Sequence, residues 1–153
     1  MTEPLHAMEF RLAYSECDPA GIVYYGAYHP WMERVHTEWT YLRGIRTDLM
    51  LTNHGVSTVS RHSEVSYHRP SKIFDPLRCE MRLDALGTTS FRMRFDFTHR
   101  EDGGLFAVGR FTLVFVDADR SKTPVPDWMR QHLLSGGPPA TGSEGPSSAH
   151  ATS

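Results

Sequence analysis

Apolar and polar residues alternate along four segments of the chain, which is the pattern of strands with one buried face. The alternation is clearest in Leu77–Ala85 and Phe91–Thr98, where most intervening positions hold arginine or acidic residues. It recurs in Met8–Tyr14 and, more weakly, in Val56–Tyr67. A fifth segment, Leu105–Val116, is apolar at both parities and therefore predicts a central strand.

One segment has a helical period instead. Apolar residues of Tyr28–Leu42 recur at spacings of three and four, so they share one face of a helix, and Gly44 is a suitable residue to end it. Glycine-containing segments at 86–89 and 100–104 are typical of hairpin turns. The order of strand, helix and four strands predicts an α+β fold, with an antiparallel five-stranded sheet wrapped against one long helix. Since one helix cannot cover both faces of this sheet, we expect pairing with a second copy of the chain.

Length and composition predict one domain with a short tail. The chain has 153 residues, enough for a single domain with a core of its own. From Gly136 onwards it consists mostly of Gly, Pro, Ser, Ala and Thr, which offer little apolar surface to bury. We therefore predict a folded domain over residues 1–135 and a disordered tail over residues 136–153.

Charge and cysteine content narrow the class of protein. A net charge of −2 gives no sign of a broad basic surface, so nucleic acid binding is not expected. The two cysteines, Cys17 and Cys79, provide neither a disulfide framework nor zinc-ligand spacing, and no metal or cofactor is predicted. No apolar run approaches the ~20 residues that cross a bilayer, and the first residues lack a signal-peptide pattern. A cytoplasmic protein without a membrane partner is the expectation.

The stretch ECDPAGIVYYGAYHPW, residues 16–31, contains the candidate chemistry. Asp18 followed by Pro-Ala-Gly is good turn chemistry, so a purely structural turn is one interpretation. The helix, however, is expected to begin between Gly26 and His29, where no Ser, Thr, Asp or Asn is present to cap its first N–H groups. These groups and the positive end of the helix dipole suit a developing oxyanion. A carboxylate just upstream can attack a carbonyl or deprotonate water, so the alternative interpretation is an acyl-transfer site.

The segment ECDPAGIVYYGAYHPWMERVHTEW, residues 16–39, resembles the signature of hotdog-fold thioesterases of the 4-hydroxybenzoyl-CoA thioesterase type. The segments SEVSYHRPSKIFDPLRCEMRL and FTLVFVDADRSKTPVP are similar to later strands of that family, so the resemblance spans about residues 6–133. It implies the hotdog fold, in which the sheet wraps around the long helix, and hydrolysis of an acyl- or aroyl-CoA thioester. It also implies a homo-oligomer, either a dimer or a homotetramer built as a dimer of dimers.

The same resemblance implies roles for particular residues. Asp18 corresponds to the family's catalytic aspartate, nucleophile or general base, and the backbone N–H of Tyr25 to the donor that polarises the thioester carbonyl. A bacterial branch acting on short or membrane-associated acyl thioesters has histidine at the position of Tyr25, so tyrosine favours an aryl or bulkier acyl group. Implied substrate contacts are Tyr28, His29, Trp31, Thr58, Val59 and Ser60, and implied contacts to the CoA phosphates are Arg69, Lys72, Arg120 and Lys122.

Other candidate groups fit less well. Cys17 and Asp18 are adjacent on an extended chain and point to opposite faces, so a nucleophile built from Cys17 and His29 is not favoured. Glu33 and Glu38 lack the His-Gly-Gly context of the hotdog branch that carries its carboxylate on the helix. The chain has no GxSxG motif, which argues against an α/β-hydrolase. Two alternatives stay open: a thioesterase acting on acyl carrier protein, and a non-catalytic acyl-thioester binding module.

Overall fold

The structure, a computed structural model, describes residues 3–23 and 25–135. A first strand leads into a long helix, and a short helix then precedes four further strands and a closing helix. The strands are β1 (His6–Arg11), β2 (Val56–Tyr67), β3 (Pro76–Leu86), β4 (Ser90–His99) and β5 (Leu105–Asp117), and the helices are α1 (Tyr28–Leu42), α2 (Met50–His54) and α3 (Asp127–Leu134). Single 3-10 turns lie at Tyr14–Glu16 and Tyr25–Ala27.

All five strands form one antiparallel sheet in the order β1-β3-β4-β5-β2. β3, β4 and β5 follow one another as neighbours, whereas β2 lies at the far edge beside β5. β5, the segment that is apolar at both parities, is an interior strand as predicted. The hotdog fold expected from the sequence is confirmed, since the long helix packs against one five-stranded antiparallel sheet.

The core lies between α1 and one face of the sheet. Alternate side chains of β3 and β4 are fully buried there, among them Leu77, Met81 and Phe95. From α1, Val35 and Trp39 have no exposed surface. Burial of one such side chain contributes about 1.5–3 kcal/mol to the stability of the fold. This shared core therefore holds α1 against the sheet.

Two glycines lie where α1 packs on the sheet and where it ends. A Cβ at Gly109 of β5 would lie 2.5 Å from the Sδ of Met32, so the Met32 side chain packs directly over this glycine. Gly44, with a φ of 81°, follows α1 in the left-handed region and ends the helix as predicted. Met32 therefore packs against β5 in the first half of α1, and the helix ends at Leu42 with Arg43 as its C-cap.

The structure differs from the pattern-based predictions at a few places. β1 ends at Arg11 rather than continuing to Tyr14, and in the 3-10 turn that follows, Oε1 of Glu16 accepts the N–H of Ala13 at 2.9 Å. The hydrophobic pattern does not predict α2 and α3, because five and eight residues are too few for a distinctive helical period. The predicted tail at residues 136–153 lies outside the described residues. None of the helices in the described ranges is long and apolar enough to cross a membrane.

Candidate active site

Asp18 begins a tight turn between β1 and α1. Its N–H donates to the carbonyl oxygen of Ile22 at 2.9 Å, and its carbonyl oxygen accepts the N–H of Gly21 at 2.9 Å. Oδ1 of the carboxylate accepts the N–H of Ala20 at 2.8 Å, which is the bond expected of Asp in a turn. Gly21 has a φ of 81°, a conformation that residues with a Cβ rarely adopt. One carboxylate oxygen therefore has a structural role, and the side chain is half-buried.

The Asp18 turn is held against the connection between β2 and β3. Ile22 forms an antiparallel bridge with Lys72, and the N–H of Val23 donates to the carbonyl oxygen of Ser71 at 2.8 Å. Both contacts are made by main-chain atoms, so the position of the turn does not depend on the carboxylate of Asp18.

α1 begins at Tyr28 without a side-chain cap, as the sequence predicts. The 3-10 turn Tyr25–Ala27 precedes it, and the N–H groups of Tyr25 and Gly26 have no hydrogen-bond partner within residues 3–23 and 25–135. N–H groups at a helix start require an acceptor from outside the helix. Two such donors, at the positive end of a helix of 15 residues, form a site that a carbonyl oxygen can occupy.

A cavity of about 340 Å³ adjoins Tyr25, and three tyrosine rings contribute to its wall. Tyr25 is 77% exposed, whereas Tyr28 is buried with its hydroxyl 3.0 Å from the Oγ of Ser71. Burial raises the pKa of both Tyr28 and Tyr67, so both hydroxyls keep their protons and can donate at neutral pH. The other residues of the wall are Val23, His68, Arg69 and Pro70.

His29 and Trp31, two of the predicted substrate contacts, lie on the first turn of α1. Their side chains have different surroundings. Trp31 is buried, its Nε1 donates to Oε2 of Glu16 at 3.1 Å, and its ring stacks on Phe10 at 5.5 Å. It therefore lines a second cavity, of about 490 Å³, on the β1 side. His29 is exposed, and its Nδ1 lies 2.8 Å from the Oγ of Ser63 in β2.

The predicted substrate contacts on β2 lie far from the 340 Å³ cavity within one chain. Thr58–Ser60 occupy the first half of β2, where they pair with residues 113–115 of β5. Tyr67, whose hydroxyl contacts Tyr25, is the last residue of the same strand. At ~3.3 Å per residue, Thr58–Ser60 are roughly 25 Å from Tyr67. One chain alone does not bring these residues together.

The four cations that the resemblance assigns to CoA fall into two separate pairs. Arg69 and Lys72 lie between β2 and β3, and Arg120 and Lys122 follow β5. The pairs are at opposite ends of the β2–β5 ladder, which for the 13 residues of β5 amounts to roughly 40 Å. Within one chain they do not form a single phosphate site.

The side chain of Arg69 contacts other residues of the fold. Its Nη2 donates to Oδ2 of Asp102 at 3.2 Å, and its guanidinium carbon lies 4.6 Å from the ring centre of Phe106. The side chains of Lys72, Arg120 and Lys122 are exposed. Packing thus accounts for the position of Arg69, which is also partly exposed at the wall of the 340 Å³ cavity, and the other three side chains are accessible to a ligand.

Sequence reasoning misses Tyr67 and Ser71. The hydroxyl of Tyr67 donates to the carbonyl oxygen of Tyr25 at 2.9 Å. Ser71 is fully buried, and it contacts both Val23 and Tyr28. Both residues reach the site because β2 ends there beside β5. Tyr67 ends a predicted strand, directly before His-Arg-Pro, and this position is the signal for it in the sequence. No local pattern, however, predicts which residues the end of a strand contacts.

The chain is similar to known thioesterases in sequence and in fold. The profile of the thioesterase-like superfamily matches residues 12–133, which include the turn and the helix start. A 1,4-dihydroxy-2-naphthoyl-CoA thioesterase from Synechocystis has a TM-score of 0.77 and 16% identity, over 84% of this chain and 94% of its own. A thioesterase superfamily protein from Jannaschia sp. has a TM-score of 0.72 and 28% identity, over 85% and 91%. A gentisyl-coenzyme A thioesterase has a TM-score of 0.69 and 22% identity, over 81% and 98%. No curated protein sequence matches the chain.

Proposed function

Because the chain belongs to the thioesterase-like superfamily, we propose that it hydrolyses an acyl- or aroyl-CoA thioester to the free acid and CoA. Such a reaction needs a group that polarises the carbonyl and a group that delivers the attacking oxygen. In this proposal the N–H of Tyr25 is the first group and the carboxylate of Asp18 is the second.

The observation that carries the proposal is the unsatisfied helix start beside a cavity. Within the described residues, the N–H groups of Tyr25 and Gly26 have no acceptor, and the cavity of about 340 Å³ begins at Tyr25. Because Tyr25 is 77% exposed, these donors are accessible to a ligand, and a bound carbonyl oxygen can take the place of the solvent there. The Asp18 turn and the cavity wall both contact the segment from Tyr67 to Lys72. This shared segment supports the proposal that they belong to one site.

The chemistry follows from these two groups. The thioester carbonyl oxygen accepts the N–H of Tyr25, and the negative charge that develops on it during attack is stabilised by this donor and by the helix dipole. A preorganised donor of this kind lowers the barrier by roughly 3–4 kcal/mol. The ionised carboxylate of Asp18 supplies the second half of the reaction in one of two ways.

In the first way, an Asp18 oxygen attacks the carbonyl carbon, the C–S bond breaks, the CoA thiolate leaves, and water hydrolyses the mixed anhydride. In the second way, Asp18 takes a proton from a water molecule that attacks directly, and the leaving thiolate is protonated. Label that enters the carboxylate of Asp18 during a single turnover in ¹⁸O-labelled water identifies the first route, because water adds to this carboxyl group only by attacking the aspartyl carbonyl of the anhydride.

The cavity wall supports an aryl acyl group. The rings of Tyr25, Tyr28 and Tyr67 offer faces and edges against which a second aromatic ring packs favourably. Two of the solved structures with this fold are named for thioesterases of naphthoyl-CoA and gentisyl-CoA compounds, and the acyl group is an aroyl group in both. The proposed substrate is accordingly an aroyl-CoA, with the sulfur and the CoA moiety directed away from the tyrosines.

The proposed working unit is at least a dimer. β2 is an edge strand of 12 residues whose side chains are largely exposed on both faces, a surface that invites a further strand. A second copy that pairs antiparallel along this edge reverses the strand direction. The partner's Thr58–Ser60 would then approach the end of β2 that carries Tyr67, and the predicted substrate contacts would meet at one site.

One observation favours a second candidate function, a non-catalytic acyl-thioester binding module. Oδ1 of Asp18 closes its own turn by accepting the N–H of Ala20 at 2.8 Å, and a purely structural aspartate would do the same. In that case the helix start still binds a carbonyl oxygen, but no group delivers the attacking oxygen. The two functions differ in turnover and not in binding.

Hydrolysis of a thioester panel tests the proposal. Benzoyl, naphthoyl and straight-chain acyl groups are presented on CoA and on acyl carrier protein, and the released thiol is followed by a colorimetric thiol reagent. We expect turnover of the CoA esters, with kcat/KM at least tenfold higher for aroyl than for straight-chain groups. Binding of the same esters without any thiol release would favour the binding module, and turnover confined to carrier protein esters would contradict CoA as the thiol.

A further inference from the structure

We propose that Tyr67 is a positioning residue, whose hydroxyl holds the carbonyl oxygen of Tyr25 and so fixes the turn that presents its N–H groups to the thioester carbonyl. The inference rests on the function proposed above and adds a residue outside the stretch of residues 16–31 that contains the candidate chemistry. The hydrogen bond measures 2.9 Å and joins positions 42 residues apart in the chain.

Tyr67 is well placed to act as an anchor. It is the last residue of β2 and pairs with Ala107 of β5, an interior strand of the sheet. Its ring lies 5.8 Å from the ring of Tyr28, centre to centre. Tyr28 is itself fixed by an edge contact with Phe97 at 4.9 Å and by its hydrogen bond to Ser71. The phenol of Tyr67 therefore has both a rigid backbone and a rigid neighbour.

The Tyr25–Ala27 turn needs such an anchor. No side chain caps α1, and among residues 3–23 and 25–135 the hydroxyl of Tyr67 is the only side-chain group bonded to the backbone of this turn. The carbonyl oxygen of Tyr25 and the N–H of Gly26 belong to one planar peptide unit, so holding the oxygen also orients that N–H. Rotation about the backbone bonds of Tyr25 is restricted as well, which limits the directions that its own N–H can take.

The chemistry of the phenol suits a permanent donor. Burial and the neighbouring Tyr25 raise the pKa of Tyr67, so its hydroxyl stays protonated throughout the neutral range. The side chain is 51% exposed, which means that the ring contributes little to the core and the hydroxyl can be removed without creating a cavity. A variant lacking only the hydroxyl therefore isolates the anchor.

The first test is steady-state kinetics of Tyr67→Phe with an aroyl-CoA that the wild-type protein hydrolyses. The phenylalanine ring retains the contact with Tyr28, and only the bond to Tyr25 is lost. Misdirected donors weaken stabilisation of the transition state, so we expect kcat to fall by about 10- to 100-fold while KM stays within about threefold. Tyr14→Phe is the matched control with unchanged kcat, because Tyr14 is 82% exposed and its hydroxyl has no hydrogen bond within the described residues.

The second test uses two non-hydrolysable analogues of the same substrate. In the ketone analogue a methylene replaces the sulfur and the carbonyl is kept, and in the thioether analogue a methylene replaces the carbonyl. We expect Tyr67→Phe to weaken binding of the ketone by about two- to threefold, in line with the small change in KM, and to leave binding of the thioether unchanged. A general loss of structure would weaken both analogues alike, which would overturn the inference, as would a wild-type kcat in Tyr67→Phe.

The outcomes separate this inference from the function on which it rests. If the wild-type protein hydrolyses no thioester and binds the ketone no better than the thioether, the proposed function fails and the role of Tyr67 fails with it. If the wild-type protein hydrolyses the thioester and prefers the ketone, but Tyr67→Phe behaves identically, only the role of Tyr67 is overturned.

Discussion

Oδ1 of Asp18 accepts a hydrogen bond from the backbone N–H of Ala20 at 2.8 Å, so one oxygen of this carboxylate closes the turn in which it lies. The bond requires an acceptor but not a charge. An asparagine at this position offers an amide oxygen with the same geometry. The structural and chemical roles of Asp18 can therefore be separated by one substitution.

The first prediction concerns stability. Asp18→Asn should keep the turn and unfold within about 1 °C of the wild-type protein in a thermal melt, because the bond to Ala20 is preserved. Asp18→Ala removes the acceptor at a cost of about 1 kcal/mol, and should lower the Tm by about 2–4 °C. Equal losses in both variants would mean that the charge of Asp18, rather than its oxygen, stabilises the turn.

The second prediction concerns His36, which is buried on α1 among Trp39, Phe91 and Phe111. Burial lowers its pKa from 6.5 to about 4, so the unfolded chain takes up a proton before the folded chain does. The free energy of unfolding should therefore decrease as the pH falls from 6.5 towards 4. Between pH 7.5 and pH 5 the loss from this residue is about 2 kcal/mol.

Urea unfolding at these two pH values checks the contribution of His36. His36→Leu fills a similar volume with an apolar side chain and should lose about 2 kcal/mol less than the wild-type protein over the same interval. All other titrating groups are shared by the two proteins, so their effects cancel. The same loss in both proteins would contradict a buried, neutral His36.

The third prediction concerns the edge of β2. The register with β5 shifts between Ser60 and His62, so Arg61 is the residue where a proline disturbs that ladder least. A proline in an edge strand removes an N–H group and disfavours pairing with a further strand. In sedimentation equilibrium we expect the wild-type protein to have at least twice the 17.4 kDa mass of one chain, and Arg61→Pro to shift towards 17.4 kDa.

Arg61→Ala is the control for this edge, since it removes the same side chain and leaves the backbone donor. It should keep the oligomeric mass and the activity of the wild-type protein. Because Thr58–Ser60 are distant from Tyr25 in one chain, dissociation by Arg61→Pro should also lower kcat/KM. A wild-type protein that is monomeric and fully active would contradict the dimeric site.

The sequence predicts the elements of this fold better than their arrangement. The bounds of α1 agree with the hydrophobic period, Tyr28–Leu42, because 15 residues give four turns of a regular pattern. β3 and β4 extend their predicted segments by one residue at each end. Each of these elements has a face that is defined by its own residues.

The position of β2 in the sheet is the part of the fold that no local sequence pattern predicts. Its residues predict a strand, but its position beside β5 depends on long-range pairing, which the sequence of β2 does not specify. That pairing brings Tyr67 to Tyr25 and leaves Thr58–Ser60 at the other end of the strand. The motif around Asp18 can therefore be read from the sequence, whereas the residues that surround it cannot.

The central claim is that Asp18 delivers the attacking oxygen to a thioester whose carbonyl is held at the helix start, and the most direct test is the turnover of Asp18→Asn. Asp117→Asn is the matched control, because Oδ1 of Asp117 also accepts backbone N–H groups, from Asp119 at 2.9 Å and Ser121 at 3.0 Å. With the best ester of the panel, we predict that kcat of Asp18→Asn falls by about 10²- to 10⁴-fold while its melting curve and that of Asp117→Asn stay unchanged. An Asp18→Asn protein that hydrolyses the thioester within about threefold of the wild-type rate would contradict the account.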